Sequence, residues 1–186
     1  MCLPQRGCVR IRGCDTILSG RTLPHQPHYL KRRIIVPQSL TAVYLHLVFS
    51  TKNRIAYLRD NQIREEMQAY LGGVSNKLGA PVLLIGGTDD HVHALCRLGR
   101  SITLADWVKE LKRTSSLWIK KRALDQHDFA WQSGYGIFSV SASNIEAVKT
   151  YIANQVEHHR KQTFQEEFRL LLKKHGLTWD ERHLWE

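Results

Sequence analysis

Val82-Leu83-Leu84-Ile85-Gly86-Gly87-Thr88-Asp89-Asp90-His91-Val92-His93-Ala94-Leu95 decides the fold: an apolar run, a glycine-rich turn and a second apolar run predict a β-hairpin, Pro81–Gly87 with His91–Leu98. A strand turns successive side chains to opposite faces, so His91 and His93 point the same way while Val92 packs into the core. Two imidazoles on one face can grip one metal. The pair is weak evidence by itself, because 10 His in 186 residues give about half a His-x-His per chain by chance. Strand histidines that are merely hydrogen-bonded or exposed satisfy the same pattern.

Outward from the hairpin the other elements follow. Thr41–Ser50 is rich in β-branched and aromatic residues and predicts the first strand. Asp60 can cap a helix to about Leu78, with Ile63, Met67, Tyr70 and Leu71 on its apolar stripe. After the hairpin, Ser101 or Thr103 opens a helix to about Ala123, where Leu104, Trp107, Val108, Leu111, Leu117 and Trp118 recur at helical spacing. Gly134-Tyr135-Gly136 leads into a strand, Ile137–Ser141. Ser143 is the expected cap of the next helix, which carries Tyr151 and Gln155 four residues apart on one stripe. A last helix, Phe164–Lys174, stops before Gly176. Strand, helix, hairpin, helix, strand is an α+β order: the split β-α-β, ferredoxin-like antiparallel sheet with helices on one face, plus C-terminal helices bearing Tyr151.

Charge and composition bound the function. Hydrophobic content of 42% and charged content of 24% suit an ordinary globular chain. A net charge of +10 suggests an anionic partner, but residues 1–35 hold +6 of it and leave only +4 to residues 36–186. That first stretch mixes Gly, Pro, His and Arg with Cys2, Cys8 and Cys14 and has no apolar periodicity. It is expected to be a disordered extension, or an over-extended reading frame whose natural start is Val36, ahead of a single domain at 36–186. The cysteine spacing fits no zinc pattern. Cys96, on a strand, is expected to be a buried hydrophobe. No apolar stretch is long enough to span a membrane, so a cytoplasmic location is expected.

Four blocks in order carry a family resemblance: Leu45-His46-Leu47-Val48-Phe49-Ser50-Thr51-Lys52-Asn53-Arg54, Asp90-His91-Val92-His93, Trp131–Ser141, and Tyr151-Ile152-Ala153-Asn154-Gln155-Val156-Glu157-His158-His159. Together they resemble the single-tyrosine HUH transposases of small insertion sequences and their REP-associated relatives. The resemblance spans nearly all of Val36–Trp185. It implies that His91, His93 and Gln155 hold a divalent metal, Mg²⁺ or Mn²⁺, and that Tyr151 attacks DNA to give a 5′-phosphotyrosine. The implied substrate is single-stranded DNA with hairpins at the ends of the element, which would place the protein at the nucleoid when bound. The implied assembly is a homodimer that exchanges Tyr helices, and a non-mobile hairpin-binding descendant is the alternative.

Other candidates are read from residue type. Asp90 could orient a histidine, although strand alternation would send it to the opposite face. Lys52 and Arg54 after the first strand, with Lys109, Lys112, Arg113, Lys120 and Lys121 on the second helix, are candidate phosphate contacts; a solvated helix face is the plainer alternative. Trp107 and Trp118 are expected in the core, and Trp131 is left open between core and base stacking. His158 and His159 are expected on a polar helix surface. An RNA-binding sheet would need a Lys/Arg-Gly-Phe/Tyr motif, and a zinc deaminase an H-x-E with a paired C-x-x-C; neither is present.

Overall fold

A computed structural model describes residues 38–185; the expectations for residues 1–35 lie outside the described residues. Four strands, β1 (Tyr44–Ser50), β2 (Val82–Gly87), β3 (His91–Arg97) and β4 (Gly136–Val140), form one sheet in the order β2-β3-β1-β4. Every neighbouring pair is antiparallel. Five helices follow or intervene: α1 (Asn61–Lys77), α2 (Leu104–Arg122), α3 (Ile145–Ala153), the single turn α4 (Gln155–His158) and α5 (Phe164–Lys174). This is the split β-α-β arrangement that the hairpin predicts.

The sheet has two unlike faces. Leu45, Leu47 and Phe49 of β1 and Val92, Ala94 and Cys96 of β3 point toward α1 and α2, where Met67, Leu71, Trp107, Val108 and Leu111 complete the main core. Each large side chain buried there contributes about 1.5–3 kcal/mol. Cys96 is fully buried among them, and burial pushes its thiol up to about 12. Trp131 also belongs to this core: its ring meets Phe49 and Phe129 edge-on, and its Nε1 donates to Ser115 Oγ at 2.9 Å. Trp107 is buried, and Trp118 stacks on Tyr70.

The opposite face carries His46 and Val48 of β1, His91 and His93 of β3 and Phe138 of β4, all buried. α3, α4 and α5 cover it. α5 is seated by Phe164, Phe168 and Leu172, which pack with Val48 and Phe138. Gly136 makes room, because a Cβ there would stand 2.7 Å from the Phe168 ring. Thr163 and Glu166 close a capping box at the start of α5.

Three local expectations are corrected. The first strand begins at Tyr44 rather than Thr41, since residues 41–43 reach past the end of β4, whose last partner pair is Tyr44 with Val140. Ser143 does not cap α3: it lies in a short 3₁₀ turn, its hydroxyl 3.0 Å from Ser141 Oγ, and Asn144 precedes the helix. Tyr151 and Gln155 do not share one unbroken helix, because Asn154 (φ −96°, ψ 16°) leaves helical geometry between them. Asp60 and Thr103 do cap α1 and α2 through their side chains. Among the described residues no helix is long and apolar enough to cross a membrane.

Candidate functional site

β3 supplies the paired histidines, and their neighbours fix which nitrogen each presents. His91 Nδ1 lies 2.7 Å from Asp90 Oδ1 and 3.0 Å from Thr88 Oγ1. The carboxylate therefore accepts the Nδ1 proton and leaves Nε2 with a free lone pair. Asp90 reaches His91 because it belongs to the turn before the strand, so the alternation that would have sent it away does not yet apply. Burial works against its negative charge, but the hydrogen bond and charge of His91 and the bond from Thr88 hold its carboxyl below the usual range.

His93 is oriented in the same manner. Its Nδ1 is 3.0 Å from Nε2 of His46 on the neighbouring strand. Burial lowers His46 to about 3, so it is neutral and able to accept. Burial also lowers His93 to about 4, with His91 and His159 pressing the same way and Glu167 opposing. Nε2 of His93 is buried without a hydrogen-bond partner. Its lone pair can serve a metal ion, with Glu167 Oε2 3.4 Å away.

The helices bring the remaining groups. Tyr151, on α3, lies edge-on to His93 and His46, its ring centroid 6.0 Å and 6.1 Å from theirs. Gln155 is buried, its Oε1 3.4 Å from His91 Nε2. His91, His93, Tyr151 and Gln155 are thus brought together within one chain. Two further residues stand among them that sequence reasoning missed. Glu167 of α5 is 2% exposed: its Oε1 accepts from the Tyr151 hydroxyl and from Gln155 Nε2 at 2.9 Å, while its Oε2 lies 3.1 Å from His159 Nε2 and 3.4 Å from His93 Nε2. His159 is turned inward rather than lying on a polar surface; its ring packs on that of His91 at 4.4 Å.

Charge follows this geometry. Burial would raise Glu167, but hydrogen bonds from His159 and Tyr151 and the closeness of the His93 ring hold it far below the usual carboxylate range. Burial, and then the Glu167 charge, push the Tyr151 phenol well above its ordinary value. Burial lowers and Glu167 more than restores His159, so its value is raised. A signal for Glu167 exists in the sequence: it falls between Phe164 and Phe168 on an apolar helical stripe, where an unpaired carboxylate has no reason to be.

The residues present fit a divalent cation. His91, His93, His159 and Glu167 offer ligand atoms all within 4.8 Å of one another. The site opens on two sides. A cavity of about 490 Å³ borders Tyr151, His46, His158, Glu167 and Lys174; another of about 550 Å³ is lined by Arg54, Arg64, Asp90, His159 and Arg160.

The basic candidates separate by position. Arg54 lines the second cavity, and Lys52, two residues earlier in the chain, is exposed. Lys109, Lys120 and Lys121 are exposed on α2, which packs on the sheet face away from the histidines. Arg113 pairs with Glu110 at 2.7 Å. Lys112 is turned inward: its Nζ donates to the carbonyls of Gln132, Ser133 and Gly134 at 2.9, 3.2 and 2.6 Å and lies over the Phe49 and Tyr135 rings. Burial lowers it to about 8.

A crystal structure of a candidate transposase from Deinococcus radiodurans R1 aligns with a TM-score of 0.53 at 22% identity, over 64% of this chain and 95% of that one; it supports the fold. The structure of a REP-associated tyrosine transposase bound to a REP hairpin aligns at a TM-score of 0.48 and 13% identity, over 66% of this chain and 72% of that one. No curated protein matches the sequence. The family model described as "Transposase IS200 like" matches residues 39–155, a span holding His91, His93, Tyr151 and Gln155, and on that match the chain belongs to the IS200-like transposases.

Proposed function

We propose that this transposase cuts and rejoins single-stranded DNA at hairpin-bearing ends of an insertion sequence, acting in the cytoplasm at the nucleoid. The observation that carries the reading is the gathering of Tyr151, its ring 6.0 Å from that of His93, with the buried His91, His93 and Gln155 in one site. His91, His93 and Gln155 would hold the divalent ion, Mg²⁺ or Mn²⁺; when bound, it supplies positive charge against which a phosphate can be oriented and its developing charge offset. Tyr151 Oη attacks the phosphorus, the bond to the 3′ oxygen breaks, and the leaving strand ends in a 3′-hydroxyl. The 5′-phosphotyrosine keeps the phosphodiester energy, so another 3′-hydroxyl can reverse the step without ATP. Glu167 Oε1, in contact with the phenol, is the nearest acceptor for its proton. His46 and Asp90 hold the histidine rings in place.

The non-mobile, hairpin-binding alternative is favoured by one observation. Burial, and then the Glu167 contact, hold the Tyr151 phenol in its protonated form, the less nucleophilic one. A single experiment separates the two. Purified protein with Mn²⁺ and labelled hairpin strands should yield a covalent band that Tyr151→Phe abolishes while hairpin binding persists. Binding without any band in the wild type supports the alternative.

A homodimer with shared sites is part of the proposal. Exchange of everything after β4 between two copies would rebuild the contacts seen within one chain, with the hinge at residues 141–144. Mixing His91→Ala and Tyr151→Phe chains tests it: restored cleavage means that sites are shared, and no recovery means that each chain acts alone.

A further inference from the structure

We infer that the cavity beside Tyr151, between β4, α3 and α5, is a nucleobase pocket, which takes one unstacked base of the DNA strand next to the phosphate that Tyr151 attacks. The protein itself then reads part of the cutting position. The inference rests on the strand-cutting reading above and deepens it.

Shape and lining carry it. The cavity holds about 490 Å³, inside the range of about 300–1,000 Å³ usual for small-molecule pockets. Tyr151 belongs to its wall, so whatever fills it lies next to the nucleophile. Val140 of β4, Val148 of α3, and Leu170 and Leu171 of α5 make its sides apolar. Leu170 is 55% exposed, and an occupant that covered it would remove apolar surface from water. Phe138 is buried, and the exposed ring of His175 lies against it, centroids 4.7 Å apart and planes at 27°. The His175 ring is thus held flat while remaining accessible. Stacking of a base on such a ring is how proteins commonly grip a single strand.

Polar groups in the cavity are few. Asn144 and Gln162 line it, and neither side-chain amide is hydrogen-bonded to another of the described residues. Each offers a donor and an acceptor to the edge of a base. Lys174, exposed on the same wall, brings positive charge for the phosphate that carries the base. The cavity on the other side of the site differs in kind: Arg54, Arg64 and Arg160 line it with Asp89 and Asp90, a setting for backbone phosphate. A strand laid across Tyr151 therefore meets charge on one side and an apolar slot on the other.

The test measures binding by the full-length protein in EDTA, where no strand is cut. Labelled hairpin strands carry a single abasic site at each unpaired position beside the stem in turn. We expect one abasic position to weaken binding about tenfold or more, the worth of one stacked base, and the other positions to matter much less. Val148→Trp and Leu170→Trp, which fill the cavity, should bind the intact strand as weakly as the wild type binds that abasic strand, and should no longer tell the two apart. His175→Ala should weaken the intact strand about fivefold or more and shrink the difference. Binding of the bare hairpin stem should be unchanged in all three, which checks that they are folded; if Val148→Trp fails that control, Leu170→Trp and His175→Ala decide. Equal binding of every abasic strand, or discrimination retained when the cavity is filled, would overturn the inference. Failure of the wild type to form a covalent band with Mn²⁺ would instead remove the strand-cutting reading, so the two failures are told apart.

Discussion

His46 and His93 are neutral because they are dry, and this makes the metal-free protein sensitive to acid. In the folded chain they take up protons only near about 3 and about 4, while an unfolded chain takes them up near 6.5. Between those values the unfolded state binds more protons, so stability falls as pH drops through the window. Each histidine accounts for about 2 kcal/mol between pH 7 and pH 5, offset in part by His159, whose raised value works the opposite way. Urea midpoints of metal-free protein should therefore fall between pH 7 and pH 5, and His46→Gln should flatten the fall. An unchanged midpoint would mean that these rings are not neutral and buried. The paired histidines were legible in the sequence because strand alternation is a local rule. Glu167 left only the mark of a carboxylate on an apolar stripe and His159 none, since it is the docking of α4 and α5 over the sheet that turns both inward.

At the scale of elements, the height of α3 above the sheet sets where the nucleophile stands. A Cβ on Gly86 of β2 would lie 2.6 Å from the backbone oxygen of Ile152, next in the chain after Tyr151. Gly86→Ala should cost about 1–3 kcal/mol by overpacking. It should also slow formation of the covalent DNA band by more than its loss of folded protein explains, measured at a temperature where the variant stays folded. Helix α2 yields a second prediction. Lys112 holds three consecutive carbonyls, so Lys112→Met should lower stability by about 1–3 kcal/mol, read as a shifted thermal midpoint. Its exposed neighbours Lys109, Lys120 and Lys121 should have no such effect. A basic helix looks uniform in sequence, and only the loop at residues 132–134, packed beside it, singles out one lysine. The elements themselves were legible because caps, glycines and periodicity are near-neighbour signals; the break at Asn154 was not, because no Gly or Pro marks it.

For the molecule as a whole, the sheet separates support from chemistry. The α1/α2 side holds the larger apolar core, and the opposite side holds the histidines under a thinner cover of aromatic rings. Trp107→Ala, deep on the first side, should cost about 3–5 kcal/mol in urea unfolding yet leave metal affinity per folded molecule unchanged. A parallel loss of affinity would show that the two faces are coupled. Fold class was readable from the order of elements and the histidine pair from strand alternation, whereas the groups that the later helices bring to that pair required knowing which parts of the chain meet.

The four strands are complete at Val140, and Tyr151, Gln155, His159 and Glu167 all come later. Scaffold and reactive equipment are therefore written consecutively along the gene. A premature stop codon between positions 140 and 151 would delete the hydroxyl, the amide, the third imidazole and the carboxylate in a single event while sparing every strand residue. Loss of cutting thus lies one mutation away, by a route that leaves the paired histidines as its only trace.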